Sequence, residues 1–419
     1  MNVRIRPNRL QGILPAPPAK AHAHRLLICA ALADKPTLVQ RPGKSQDVLA
    51  TLDCLAALGA GVEWRGEDVR ITPMARPAQA PLLDCRESGS TLRFLLPVAA
   101  AVADSPAFTG RGRLPQRPIG HLAEAMALHG AVCSAPGLPL TVRGRLAAGH
   151  YALPGDVSSQ YITGLLLALP RLEGDSTLQL TTALSSAPYI RITLSVLKAF
   201  GVRVETDDAL PGWRIPGGQT FRSPGTAAVE GDWSNAAFWL AAAALGSDVA
   251  LTGLEADSPQ GDKAVVELLA GYGAQVRSEG GSLLLRPGTM QGQCIDVSQV
   301  PDLLPILAVA ATGARGETRF VNAARLRLKE SDRLATTAQL INGLGGCARE
   351  LPDGLTVTGS PLTGGTVDSC GDHRIAMAAA IAATRCACPV VITGADAVEK
   401  SYPAFFADYA SLGGEFDEL

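Results

Sequence analysis

Apolar residues recur along the chain in short helical patterns that each begin on a polar residue. Six stretches share this form: Lys20 to Leu27, Ser88 to Leu95, Ser158 to Leu165, Asp232 to Trp239, Asp302 to Leu307 and Asp372 to Met377. Their starts at 20, 88, 158, 232, 302 and 372 are separated by 68, 70, 74, 70 and 70 residues, which marks internal repetition. Leu92, Leu95, Leu96 and Ala99, like Ile162, Leu165, Leu166 and Leu169, keep the spacing of a helix with one buried face. Their Ala-rich faces predict close packing, and the Ser and Asp starts suit caps that accept unpaired amide hydrogens.

Second helical patterns closed by glycine lie between these starts: Asp47 to Leu58, Leu122 to Leu128, Ile192 to Phe200, Val265 to Leu269 and Leu334 to Leu344. Strand-like runs follow at Val62 to Trp64, Val202 to Glu205 and Gly281 to Leu285, and one strand is expected over Val3 to Ile13. Each unit therefore reads as about two helices with several short strands. Three units per domain is the simplest division, with a boundary near 228, and the pattern leaves the amino-terminal strand free to join either half.

Length and composition agree with two domains, since 419 residues with 47% hydrophobic content can bury a large interior. A formal charge of -2 provides no basic field for nucleic acid or an anionic membrane. Any positive charge that matters must be local. The nine cysteines form no CxxC pair, which argues for reduced thiols rather than a disulfide framework or a zinc site. Leu26 to Ala33 is far shorter than a membrane span, so a cytoplasmic location is expected. The histidines at 22, 24, 121, 129, 150 and 373 show no metal-ligand helix pattern. Pro42-Gly43-Lys44-Ser45 is no phosphate loop, because Leu38 stands where the first glycine belongs.

Local positive charge does occur, at or near the repeated starts. A helix amino terminus carries unsatisfied N–H groups and about half a positive charge, so several such ends aimed at one cleft attract phosphate and carboxylate. One end contributes about 0.3 to 1 kcal/mol, against roughly 1.5 to 3 for a hydrogen bond to a charged group, so specific cations must dominate. Lys20, Arg25, Arg93, Arg117, Lys329, Arg333, Arg374 and Lys400 supply them. Two acids stand among them: Asp302 at a helix start, where an ordinary cap is the plain alternative, and Glu330 in Lys329-Glu-Ser-Asp-Arg333, where it is a helix-surface ion pair. An acid held among cations stays ionised at neutral pH, which suits a general base.

Ser158-Ser159-Gln160-Tyr161, Ser186-Ala187-Pro188-Tyr189-Ile190, Lys329 to Arg333, Asp372 to Met377 and Lys400-Ser401-Tyr402-Pro403 resemble, in order, the motifs of the 5-enolpyruvylshikimate-3-phosphate synthase family. The resemblance covers nearly the whole chain. It implies an α/β fold, a two-domain inside-out α/β barrel of three βαβαββ units per domain that closes like a clamp on two anionic substrates. The expected division places 1–14 with 228–419, carrying the phosphoenolpyruvate-side acids and cations, and leaves 15–227 with the shikimate-3-phosphate serines. By resemblance, Lys20, Arg25, Ser158, Ser159, Gln160, Ser186, Tyr189, Asp302 and Lys329 bind shikimate 3-phosphate. Phosphoenolpyruvate is assigned Lys20, Gly89, Ser90, Arg117, Gln160, Arg333, Arg374 and Lys400. Asp302, Glu330 and Lys20 become the catalytic groups of an addition and elimination that needs no metal or organic cofactor, in a monomeric enzyme gated by domain closure.

The chain departs from the family at several points. Ala19 and Ala21 flank Lys20 where serines are usual, and the second serine normally helps hold the shikimate phosphate. Its loss predicts a weaker acceptor constant, by roughly 0.5 to 1.5 kcal/mol. Arg86-Glu87-Ser88 replaces Gly-Asn-Ala, and Arg325 replaces a substrate-contacting asparagine. Gly89 keeps the small residue tied in the family to glyphosate sensitivity. The nearest rival, enolpyruvyl transfer to UDP-N-acetylglucosamine, calls for a reactive cysteine where Gly112 stands. A non-catalytic binder of phosphorylated acids would explain Ala19 and Ala21, but retention of Lys20, Asp302 and Glu330 speaks against it.

Overall fold

Six of the helices follow from the repeated starts: Lys20–Leu32, Gly89–Val102, Ser159–Ala168, Trp233–Ala244, Leu304–Ala311 and His373–Ala383. They are seen in a computed structural model that describes residues 1–76, 78–206 and 211–419. Ser88, Ser158, Asp232 and Asp372 cap their helices as expected, each side chain accepting from a backbone N–H of the first turn. Lys20–Leu32 begins instead from Ala19, which has no side chain to cap with.

The expectation of one buried face per repeated helix does not hold. Trp233–Ala244, Leu304–Ala311 and His373–Ala383 are buried at every position. An element apolar all round belongs inside a core, and alanine allows such helices to pack closely. The strands take the outer layer, alternating buried and half-exposed residues, as in Ser176–Leu180 and Thr37–Gln40.

The described strands form six four-stranded sheets, each with one parallel pair and two antiparallel pairs. Glu317–Val321, for example, runs parallel to Cys294–Asp296 and antiparallel to Gly354–Thr358. The same pairing rule in every sheet is the structural form of the sequence repeat.

Two compact units result, one of Met1–Pro17 with Glu230–Leu419 and the other of Pro18–Val229. Each holds three of the sheets and its own apolar core. The expected strand over Val3 to Ile13 is two strands, Val3–Arg6 and Gln11–Pro15, in different sheets of the same unit. Pro7 ends the first because it has no N–H to continue a ladder. The run at Val202 also starts late: Val202 is buried, and pairing begins at Glu205–Thr206.

In the Pro18–Val229 unit, Gly164 lets helix Ser159–Ala168 lie against Gly89–Val102. A Cβ there would fall 2.2 Å from the Arg93 carbonyl oxygen and 2.9 Å from Pro97 Cγ. This close approach carries Gln160 to Arg93.

Candidate active site

The Pro18–Val229 unit gathers three repeated helix starts through side-chain hydrogen bonds. Lys20, first residue of its helix, places Nζ 2.7 Å from Asp47 Oδ2, and both side chains are largely buried. Asp47 lies in the first turn of helix Gln46–Ala57, where the helix dipole favours a carboxylate. His24 Nδ1, Thr51 Oγ1 and Thr91 Oγ1 form a buried chain with 2.7 Å links that ties helix Lys20–Leu32 to the start of Gly89–Val102. Burial holds His22 down at about 4, with the Arg25 charge adding to it, so this imidazole is neutral at physiological pH.

Around the second start, Arg93 Nη1 donates to Gln160 Oε1 at 2.7 Å and Nη2 to the Pro118 carbonyl at 3.0 Å. Gln160 Nε2 then donates to Ser90 Oγ at 3.0 Å. Arg117 joins this group: a Cβ on Gly89 would lie 2.6 Å from Arg117 Nη1 and 2.8 Å from Arg93 Nη1. Two guanidinium groups thus press on one glycine, and only the absence of a side chain lets them sit there. Gly89, Ser90, Arg117 and Gln160, far apart in sequence, belong to one cluster.

The serines occupy neighbouring helix starts. Ser158 caps Ser159–Ala168 and Ser159 is buried just inside it. Ser186 precedes Ala187–Ala199 with a left-handed φ of 56°. Arg25 is only 2% exposed and sits over the Phe94 ring. It donates through Nε to Thr193, through Nη1 to the Ala21 carbonyl, and through Nη2 to Thr163 and the Tyr189 carbonyl. Those bonds use four of its five N–H groups, so one Nη1 hydrogen remains beyond them. Burial pushes the Arg25 pKa down to about 9, which still leaves it charged at neutral pH.

The other unit concentrates its chemistry on Asp302. The carboxylate does not cap its helix; the 3₁₀ turn Pro301–Leu303 has no side-chain cap. It accepts instead from Lys329 Nζ at 3.3 Å, Arg333 Nη1 at 2.6 Å and Arg374 Nη2 at 3.2 Å. Arg333, 1% exposed, also pairs with Glu330 at 2.7 Å and Asp372 at 2.8 Å. The surface-pair alternative for Glu330 therefore fails, because the Glu330 side chain is only 15% exposed and its partner is buried. Burial opposes the Arg333 charge, yet Asp372, Glu330 and Asp302 together hold its pKa well above the ordinary value. Burial lowers the Lys329 pKa, with Asp302 opposing that shift.

Arg374 adds links to the remaining starts. Its Nη2 donates to Ser234 Oγ at 2.7 Å, so the helix starts at 232, 302 and 372 meet at one guanidinium. Lys400 stands further out, with Nζ 3.2 Å from the Gly371 carbonyl just before Asp372. Arg325 donates to the Ser298 carbonyl and adds positive charge beside Lys329.

The candidate set drawn from sequence omitted Asp47 and Asp372, and it counted Arg93 among the cations without assigning it a substrate. Asp372 occupies a repeated start and Arg93 follows another, so the period itself marked both. Asp47 carried no local signal. Among the described residues no group of His, Cys, Asp or Glu is arranged to hold a metal ion, and no helix is long and apolar enough to cross a membrane.

Comparison with known proteins extends the pattern. Residues 5–409 match the family described as EPSP synthase (3-phosphoshikimate 1-carboxyvinyltransferase). A 3-phosphoshikimate 1-carboxyvinyltransferase of Clostridium kluyveri is 41% identical over 421 residues, covering 99% of this chain and 98% of that one. One from Clostridium perfringens is 40% identical over 418 residues, covering 98% of each. The crystal structure of EPSP synthase from Acinetobacter baumannii superimposes with a TM-score of 0.81 at 28% identity, covering all 100% of both chains. With residues 5–409 matched by the family and a full-length relative at 41% identity, the chain belongs to the EPSP synthase family.

Proposed function

We propose that the two clusters act on one pair of substrates, with Asp302, Glu330 and Lys20 as the groups that move protons. The chain transfers the enolpyruvyl group of phosphoenolpyruvate to the 5-hydroxyl of shikimate 3-phosphate and releases phosphate. In this reading Asp302 takes the hydroxyl proton as the oxygen attacks C2 of phosphoenolpyruvate, and Glu330 delivers a proton to C3. In the tetrahedral adduct Glu330 then takes a proton back from C3 as the C2–O bond to phosphate breaks, which restores the double bond, with Lys20 assisting at the bridging oxygen.

The observation that carries the reading is the Asp302 carboxylate, held at once by Lys329, Arg333 and Arg374. Those cations keep it ionised before substrate arrives. Anionic substrates compete for the same donors, and each hydrogen bond they take makes the carboxylate a stronger base where the hydroxyl lies.

Shikimate 3-phosphate is assigned to Lys20, Arg25, Ser158, Ser159, Gln160, Ser186, Tyr189, Asp302 and Lys329. Arg25 contributes through its remaining Nη1 hydrogen, and Ser158 can donate its hydroxyl while its oxygen caps the helix. Phosphoenolpyruvate is assigned to Lys20, Gly89, Ser90, Arg117, Gln160, Arg333, Arg374 and Lys400. The reading includes a cytoplasmic monomer, in which the nine free cysteines stay reduced.

The test is phosphate release from phosphoenolpyruvate with shikimate 3-phosphate, run beside Asp302→Ala and Glu330→Ala. Turnover in the parent and its loss in both variants is expected. A parent that binds both compounds without turnover would be a binding protein, and the reading would fall.

A further inference from the structure

Beside the Asp302 cluster lies a carboxylate to which the mechanism gives no role. Asp262 sits in the turn Gly261–Ala264, ahead of helix Val265–Tyr272, and is only 4% exposed. Among the described residues its Oδ1 has no hydrogen-bond partner. A buried carboxylate with an unsatisfied oxygen costs folding free energy.

The groups that face Asp262 come from three elements. Ser234 and Asp232 belong to the start of helix Trp233–Ala244, Asp302 to the turn Pro301–Leu303, and Arg374 to helix His373–Ala383. Gln260 pins the turn Gly261–Ala264 to the start of helix Trp233–Ala244, accepting from the Trp233 N–H at 3.1 Å and donating to the Gly231 carbonyl at 2.7 Å, which sets Asp262 beside Ser234, whose Oγ accepts from Arg374 Nη2 at 2.7 Å. A hydroxyl has one proton, so donating it to Asp262 turns the oxygen lone pairs toward Arg374.

We propose that Asp262 is a positioning residue for the phosphoenolpyruvate site: its carboxylate orients the Ser234 hydroxyl, which in turn orients the Arg374 guanidinium. The inference rests on the reading of Arg374 as a phosphoenolpyruvate ligand. Protonation of Asp262 removes the charge that holds Ser234 as a donor, and Arg374 loses a fixed acceptor. Burial, reinforced by the Asp302 charge, pushes the Asp262 carboxyl up to about 6 against the pull of Arg374 and Ser234. Donor binding therefore weakens as pH falls through that value.

Stability runs the other way. An acid whose folded pKa lies above its unfolded value costs stability once it ionises, a cost that grows as pH rises from the unfolded value of 3.8 through about 6. Asp262→Asn abolishes that ionisation and leaves Ser234 only a neutral amide, whose oxygen and NH2 no longer fix the hydroxyl as a donor. It should raise the melting temperature at about pH 8 and leave it nearly unchanged at about pH 4.

The deciding experiment measures kcat and both KM values by phosphate release, from about pH 5 to about pH 9, for the full chain and for Asp262→Asn, Ser234→Ala, their double variant and Arg374→Gln. At about pH 8, Asp262→Asn should raise KM for phosphoenolpyruvate about tenfold and leave that for shikimate 3-phosphate within about twofold. The parent-to-variant ratio of kcat/KM should fall toward one below about pH 6. Ionisation of the substrate is common to both proteins and drops out of that ratio. Ser234→Ala should reproduce the effect, and the double variant should be no worse than Ser234→Ala alone.

A pH-independent ratio, or equal rises in both KM values with a lowered melting temperature at about pH 8, marks a merely structural aspartate and overturns the inference. If Asp262→Asn does not fold, Ser234→Ala alone decides through loss or persistence of the parent's acid limb. Should Arg374→Gln weaken phosphoenolpyruvate binding while Asp262→Asn and Ser234→Ala do not, the positioning role fails and the ligand reading stands. Should Arg374→Gln leave that KM unchanged, the ligand reading itself is wrong.

Discussion

In the Pro18–Val229 unit, Lys20 pairs with Asp47, while Arg25 and Arg93 donate to neutral amides, hydroxyls and carbonyls. In the other unit, Lys329, Arg333 and Arg374 are matched by Asp302, Glu330 and Asp372. Arg25 and Arg93 are held by neutral acceptors, whereas Arg333 and Arg374 are held by carboxylates. On the proposed reading, a guanidinium held by neutral acceptors keeps its charge for an anionic substrate, while carboxylates paired with cations stay fixed for proton transfer. Perturbations should therefore differ most in their effect on stability: small in the first unit, and large in the second where a carboxylate loses its cation.

The largest expected effect is that of Asp302→Asn. Loss of the general base should lower kcat by about 10² to 10⁴, measured by phosphate release at saturating substrate. Next comes Arg333→Ala, which removes the guanidinium from buried Asp372 and part-buried Glu330 and leaves Asp302 with Lys329 and Arg374. It should cost about 3 to 5 kcal/mol of stability, read from the urea midpoint. A midpoint unchanged by Arg333→Ala would mean that the second cluster is no more rigidly paired than the first, and the contrast would fail.

Gly89→Ala tests the first unit. The new methyl would stand 2.6 Å from Arg117 Nη1 and must push that guanidinium or Arg93 aside. KM for phosphoenolpyruvate should rise about tenfold to a hundredfold, with little change in the urea midpoint. The smallest effect is a gain: Ala21→Ser restores a hydroxyl beside Lys20, and KM for shikimate 3-phosphate should fall by about twofold to tenfold. An unchanged constant would show that this chain holds the acceptor phosphate without that position.

The repeat was legible because its signals are local. Helical spacing at Leu92, Leu95, Leu96 and Ala99 and the capping residues Ser88, Ser158, Asp232 and Asp372 need only neighbours in the chain. Burial was misjudged for the same reason. Composition tells that Trp233–Ala244 is apolar, yet only the packing of its neighbours makes every one of its faces internal. The amino-terminal segment was misread because alternation over Val3 to Ile13 carries no record of which sheet each half joins.

Residue identity at or near the repeated starts thus marked members of both clusters, including Lys20, Ser158, Asp302 and Arg374. What it left open was the partner of each group. Asp302 as a cap and Asp302 as the acceptor of three cations are equally compatible with the sequence, because Lys329, Arg333 and Arg374 lie 27, 31 and 72 residues away. The same holds for Arg25, mostly committed to Thr163, Thr193, Ala21 and Tyr189 within its own unit. Periodicity and capping act over one helical turn, so the chain alone settles them; charge pairing acts through space, so only the packing of the helices decides which carboxylate meets which cation.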